Sequence, residues 1–157
     1  MTTLYSRAQI ILHWLIAVLI LVAFFSHEGM KDAWRAVERG SAYATPIIHI
    51  VAGLSVLAFA IWRLIVRFQK GAPALPASGS ALTNRIASLV HLALYALIVI
   101  IPVTGAAAWF GGFADLGEVH ETLFNVLWVL VAVHVAGALY HQFVLKDGLM
   151  RRMFRSS

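Results

Sequence analysis

Cysteine is absent from this 157-residue chain, and charged side chains are scarce. Without cysteine there are no disulfides, no thiolate ligands for haem iron and no iron–sulfur clusters. Only 12% of the residues are charged while 61% are hydrophobic, a composition far outside that of soluble globular proteins. The chain has no dinucleotide-binding fingerprint and no room for a flavin domain. We therefore predict one membrane domain over residues 1–157, in which any redox cofactor is held by histidine or, more weakly, by methionine.

Four apolar runs reach the length of about 20 residues that a helix needs to cross a bilayer. Lysine and arginine gather on one side of these runs, and the opposite side has only Lys31, Arg35 and Arg39. Because cytoplasmic loops are enriched in these cations, both termini are predicted to be cytoplasmic. The same pattern accounts for the net charge of +5 without a nucleic-acid-binding face. Short connections favour an all-α, up-down four-helix transmembrane bundle, with spans over 8–26, 46–66, 86–109 and 119–145.

The segments around these spans are read from their composition. Arg63 and Arg67 mark the far end of the second span, and the proline-, glycine- and serine-rich stretch 69–83 is predicted to be a loop. Pro102 and Gly105 interrupt the third run near its end. A short connection, 110–118, leads to the fourth span, which is followed by a basic tail of Arg151, Arg152 and Arg155.

Most of the seven histidines fall inside or at the ends of the apolar runs, at two depths. His120 and His134 are 14 residues apart, which on one helix rotates the second by about 40° and places it roughly 21 Å deeper. We name the two depths the outer and inner levels. The outer level holds His49 and His120, and the inner level holds His13, His91 and His134, with His141 further toward the cytoplasm.

Opposed histidines at two depths favour two haems, each held between two imidazoles. A titratable ring is costly in hydrocarbon, so an intramembrane histidine is a candidate functional residue, although any single one could instead form an interhelical hydrogen bond. Structural zinc is disfavoured because it needs four clustered ligands. Gly53, Gly137 and Ala138 would leave a porphyrin side-chain-free surface, but small residues also serve helix packing.

Two segments of the chain, YSRAQIILHW (5–14) and HETLFNVLWVLVAVHVAGALYHQFVLKD (120–147), resemble the bacterial cytochrome b561 family. The resemblance covers essentially the whole chain. It implies a multi-pass, four-helix cytochrome of the bacterial inner membrane with two haem b groups and ubiquinone as partner. Matched to the family motif, the inner haem is held by His13 and His134, and the outer haem by His49 and His120.

The same resemblance implies a choice of functions, because some members of the family oxidise superoxide. Lys31, Arg35 and Arg39 recur every four residues and, if helical, stack on one face near the outer haem. Such a cationic face attracts a small anion such as superoxide. The alternative is that three nearby carboxylates neutralise its charge: Glu28, Asp32 and Glu38.

We expect superoxide to be oxidised to oxygen and the electrons to pass to ubiquinone. The alternative is an electron-relay cytochrome b subunit that anchors a dehydrogenase or hydrogenase and receives electrons from that protein. For ubiquinone we favour the inner side, where His91 and His141 are the titratable candidates, because both haems then form one path. His91 could equally make an interhelical hydrogen bond. Glu118 and Glu121 mark an outer alternative, although they also suit a helix N-terminus.

Overall fold

The computed structural model describes residues 4–71, 73 and 80–154, and over these residues it contains helices and no strand. Four helices are long and apolar enough to cross a membrane, and a short fifth helix lies between the first two of them. The prediction of an all-α membrane protein with four spans is therefore confirmed. The helices are α1 (Arg7–Phe25), α2 (His27–Glu38), α3 (Ile47–Lys70), α4 (Ala81–Gly111) and α5 (Asp115–Tyr140), followed by a π-helical turn (His141–Leu145) and a 3-10 turn (Leu149–Met153).

Local sequence signals begin and end these helices. Ser6 and Gln9 form a capping box at the start of α1, in which the Ser6 hydroxyl accepts from the Gln9 N–H at 3.4 Å and the Gln9 side chain accepts from the Ser6 N–H at 2.9 Å. Ser80 caps α4 by accepting from the Thr83 N–H at 3.2 Å. Gly112 ends α4 with a φ of 73°, a left-handed conformation that favours glycine.

Several predicted boundaries were wrong. The predicted loop 69–83 was too long at both ends, since α3 continues to Lys70 and α4 begins at Ala81; positions 72 and 74–79 of it lie outside the described residues, as does Arg155 of the tail. Pro102 does not interrupt α4, because a proline removes one N–H without ending a helix that its neighbours support.

The connection between α4 and α5 spans only residues 112–114, shorter than the predicted 110–118. Asp115 and Glu118 occupy the first turn of α5, where negative charge is stabilised by the helix dipole. This position of Glu118 agrees with the helix N-terminus that the sequence offered for it.

The bundle closes around a small apolar core. Helix α1 packs on α3, α3 on α4, and α4 on α5. Ala60 of α3, completely buried, and Leu127 of α5, 2% exposed, belong to one cluster with side chains of α1 and α4. Leu127 is seven residues from both His120 and His134. The apolar core therefore lies between the two histidine levels, and none of the histidines belongs to it.

Candidate functional site

The outer level brings His49 of α3 opposite His120 of α5, with ring centres 6.2 Å apart and ring planes at 74°. The Nδ1 atom of His49 lies 3.0 Å from the carbonyl oxygen of Ala23, and that of His120 lies 2.7 Å from the carbonyl oxygen of Ile101. Because a carbonyl oxygen can only accept, Nδ1 of each ring carries the hydrogen and Nε2 keeps its lone pair. This is the arrangement in which protein histidines bind metals.

Gly105 of α4 allows His120 to approach the helix so closely. A Cβ atom at this position would lie 2.8 Å from Nδ1 of His120, a distance that real Cβ atoms do not adopt. From the sequence alone, Gly105 is only a break in an apolar run, and its contact with His120 is not visible. The available signal was a glycine inside a membrane helix opposite a predicted ligand.

Apolar space lies beside the outer pair. A cavity of about 40 Å³ is lined by both histidines, by Gly53 and by apolar side chains of all four membrane helices. A Cβ atom added at Gly53 would meet nothing within 4 Å. Gly53 therefore widens the space one turn along α3 from His49, as expected where a flat cofactor lies against a helix.

The inner level brings three histidines together around His134. Its ring centre lies 6.2 Å from that of His13 and 5.1 Å from that of His91. A metal bound at about 2.0 Å by two opposed imidazoles places their ring centres about 6 Å apart. The His13–His134 pair fits this spacing as the outer pair does, whereas His91 is too close to His134 to face it across a metal in this arrangement. A Cβ atom at Gly137, three residues after His134, would meet nothing within 4 Å.

An arginine pair adjoins the inner level. The Nε–H of Arg63 donates to the Tyr95 hydroxyl at 3.2 Å, and another Arg63 nitrogen donates to the backbone carbonyl of Gln9. The guanidinium of Arg67 lies 5.3 Å from the centre of the Tyr95 ring. Because Arg63 is hydrogen-bonded to both α1 and α4, it does not merely mark the end of the span. It is a functional candidate that the sequence analysis did not recognise.

His141 belongs to a separate cluster at the end of α5. Its Nδ1 atom lies 2.6 Å from a carboxylate oxygen of Asp147, and the two side chains are 15% and 11% exposed. The chain beyond this pair folds back on α1, where the indole N–H of Trp14 donates to the carbonyl of Met153 at 3.2 Å. The structure therefore joins His141 to Asp147, and groups His91 with the inner histidines.

Lys31 and Arg35 lie on α2, and Arg39 directly follows it. Because α2 is helical, residues at this four-residue spacing share one face of it. Lys31 forms an ion pair with Glu121 at 2.9 Å, and this hydrogen bond raises the pKa of Lys31. Arg35 pairs with Asp32 at 3.0 Å. Arg39 is exposed, and no carboxylate within the described parts of the chain pairs with it. The local carboxylates thus neutralise part of the predicted cationic face.

Known proteins resemble this chain over nearly its full length. A family model described as prokaryotic cytochrome b561 matches residues 4–156. Cytochrome b562 of Cereibacter sphaeroides is 37% identical over 153 residues, which cover 96% of this chain and 95% of that protein. The probable superoxide oxidase CybB of Yersinia pestis is 27% identical over 170 residues, covering 95% and 94%. Cytochrome b561 homolog 1 of Escherichia coli K12 is 26% identical over 170 residues, covering 95% and 96%.

These matches confirm the resemblance that the two terminal segments predicted. Two of these relatives are cytochromes by name, and the histidine pairs, the glycines and the apolar pocket fit the haem b that such a family implies. The chain belongs to the prokaryotic cytochrome b561 family.

Proposed function

We propose that this protein is a di-haem superoxide:quinone oxidoreductase of the bacterial inner membrane, with both termini in the cytoplasm. The observation that carries the proposal is the repetition of one ligand geometry at two depths, with ring centres 6.2 Å apart in both pairs. In this assignment His49 and His120 hold the outer haem, and His13 and His134 hold the inner haem. Held by two histidines at each level, haem would supply one-electron transfer without binding substrate at its iron.

The reaction balances without a further reductant or oxidant. Two superoxide anions each lose one electron and leave as two molecules of oxygen. Ubiquinone gains those two electrons and two protons to become ubiquinol. The name of the Yersinia pestis relative supports superoxide as the donor.

The chain's outer surface would receive the anion. Lys31, through its ion pair with Glu121, ties α2 to the residue that follows His120. This places the cations of α2 close to the outer level. Because Arg35 and Lys31 are paired, we assign the larger part of any steering to Arg39.

The inner surface would bind ubiquinone. His91 is exposed on the bundle, and its ring adjoins that of His134. One ring nitrogen donates to the backbone carbonyl of Ala87, which leaves the other as an acceptor for an O–H of the reduced quinone at the lipid-facing surface. The partly buried His141–Asp147 pair lies closer to the cytoplasm, where we propose that it helps protons reach the quinone.

The decisive experiment measures both half-reactions on the purified holoprotein. We expect superoxide to reduce the haem absorbance within the lifetime of superoxide, and added ubiquinone to reoxidise it with formation of ubiquinol. Denatured protein with the same haem content is the control. Haem reduction no faster than in that control would contradict the proposal.

An electron-relay subunit is the second candidate, since the Cereibacter sphaeroides relative is named only as a cytochrome. In that case the protein would be isolated with a dehydrogenase or hydrogenase. The haem would then be reduced by that enzyme's substrate and only slowly by superoxide.

A further inference from the structure

Arg63 occupies on α3 the position that a ligand histidine occupies on α5. It follows His49 by 14 residues, the same step that separates His120 from His134. On a helix this step rotates a side chain by about 40° and moves it roughly 21 Å along the axis. Helix α3 therefore presents a histidine at the outer level and an arginine at the inner level on similar faces.

The guanidinium of Arg63 is fixed between three helices. It extends from α3 to the Tyr95 hydroxyl of α4, 3.2 Å away, and to the backbone carbonyl of Gln9 in α1. It lies two turns before the end of α3 at Lys70. An arginine keeps its charge under all ordinary conditions. A charge held inside a membrane helix is costly, which makes the residue that carries it a candidate functional residue.

The contacts of Arg63 place its charge beside the inner level. Gln9 precedes His13 by one helical turn on α1, and Tyr95 follows His91 by one helical turn on α4. The neighbouring Arg67, one helical turn further along α3 and closer to its end, shares the contact with Tyr95.

The outer level has a different charge environment. No lysine or arginine occurs at positions 47–62 of α3 or at positions 115–145 of the last span. The charge closest in sequence to His120 is the carboxylate of Glu121, which Lys31 neutralises. A fixed positive charge therefore adjoins the inner level, whereas the outer level has a balanced ion pair and, on the nearby surface, the exposed Arg39, whose charge is screened by water and salt.

We propose that Arg63 is a positioning residue that raises the reduction potential at the inner level above that at the outer level. A fixed cation favours the reduced state of a nearby centre, because reduction lowers the positive charge beside it, and the effect is large where water is excluded. Electrons from the outer surface would then be drawn inward toward His91. The inference rests on the proposed function, since it requires haem at both levels.

The test is a spectroscopic redox titration of the purified holoprotein. We expect Arg63→Gln to lower the equilibrium constant for reduction at the inner level about tenfold, or about 59 mV for a one-electron couple. The outer level should change much less. His120→Ala, which removes the outer haem, assigns the inner signal. Arg67→Gln is the matched control, since it removes the same charge beside Tyr95, and it should produce a smaller shift.

Conservative variants separate charge from structure. Arg63→Lys keeps the charge and should retain most of the wild-type potential. Tyr95→Phe removes the hydrogen bond that orients Arg63 and should lower the inner potential partly. If the Arg63→Gln protein does not retain the inner haem, Arg63→Lys and Tyr95→Phe test the inference in its place. An unchanged inner reduction potential in Tyr95→Phe would then overturn the inference.

The outcomes also separate the inference from the proposed function. Two haems with an inner potential unaffected by Arg63→Gln would overturn the inference and leave the proposed function intact. Equal shifts in Arg63→Lys and Arg63→Gln would overturn the role of charge. A single haem in the wild-type protein would contradict the proposed function itself.

Discussion

The outer and inner levels share one histidine geometry and differ in what surrounds it. Both pairs have ring centres 6.2 Å apart. Backbone carbonyls of Ala23 and Ile101 orient the outer rings, and apolar side chains enclose them. The inner pair has a third histidine and a fixed arginine beside it. The period of the helix is sufficient to place two pairs of ligands, while residues that bind no metal make the two levels chemically different.

The largest effect should come from removing a ligand, because this tests whether the two levels are independent. We expect His120→Ala to remove the outer haem and His134→Ala to remove the inner haem, each leaving the other absorbance largely intact. Pyridine haemochrome analysis against protein concentration should fall from two haems per chain to one. If His91→Ala abolishes the inner haem while His13→Ala does not, the inner pairing is wrong.

A smaller but specific effect should follow from Gly105→Ala, which tests the packing of the outer level. The added Cβ atom would lie 2.8 Å from Nδ1 of His120, so the ring must leave the Ile101 carbonyl. We expect about 1–3 kcal/mol of destabilisation, as in other overpacked sites, and weakened outer haem binding. Gly29→Ala, whose Cβ would meet nothing within 4 Å, is the matched control. Equal haem loss in both variants would contradict the role of Gly105.

His91→Phe tests the inner level without removing a proposed ligand. Loss of one hydrogen bond to the quinone, worth about 1 kcal/mol, should slow quinone reduction severalfold while haem reduction by superoxide stays fast. Steady-state ubiquinol formation and rapid-mixing haem reduction measure the two separately. If quinone turnover survives this change but fails in Glu121→Gln, the quinone site lies at the outer level.

The sequence predicted the spans and the histidine levels because both depend on regular spacing along a single helix. Contacts between helices could not be read in this way. Gly105 and Arg63 were treated as a break and a boundary, since their roles depend on His120 and Tyr95, which lie on other helices. His141 was grouped with His91 by depth alone, but the reversal of the chain after α5 joins it to Asp147.

The smallest effect should come from the outer surface, where the cations of α2 are largely paired. Raising the salt concentration should slow haem reduction by superoxide, because screening shortens the reach of exposed charges. Arg39→Gln should slow that step about twofold, as expected for one exposed charge in a steering field. Lys31→Gln should change it less than Arg39→Gln, since Lys31 is already paired with Glu121.

A neutral reductant is the control, because its rate should not respond to Arg39→Gln. Equal slowing with both reductants would place the effect at the haem rather than in steering. If the rate of haem reduction does not depend on salt concentration, electrostatic attraction does not bring superoxide to the outer level. A protein would then be favoured as the electron donor at that level.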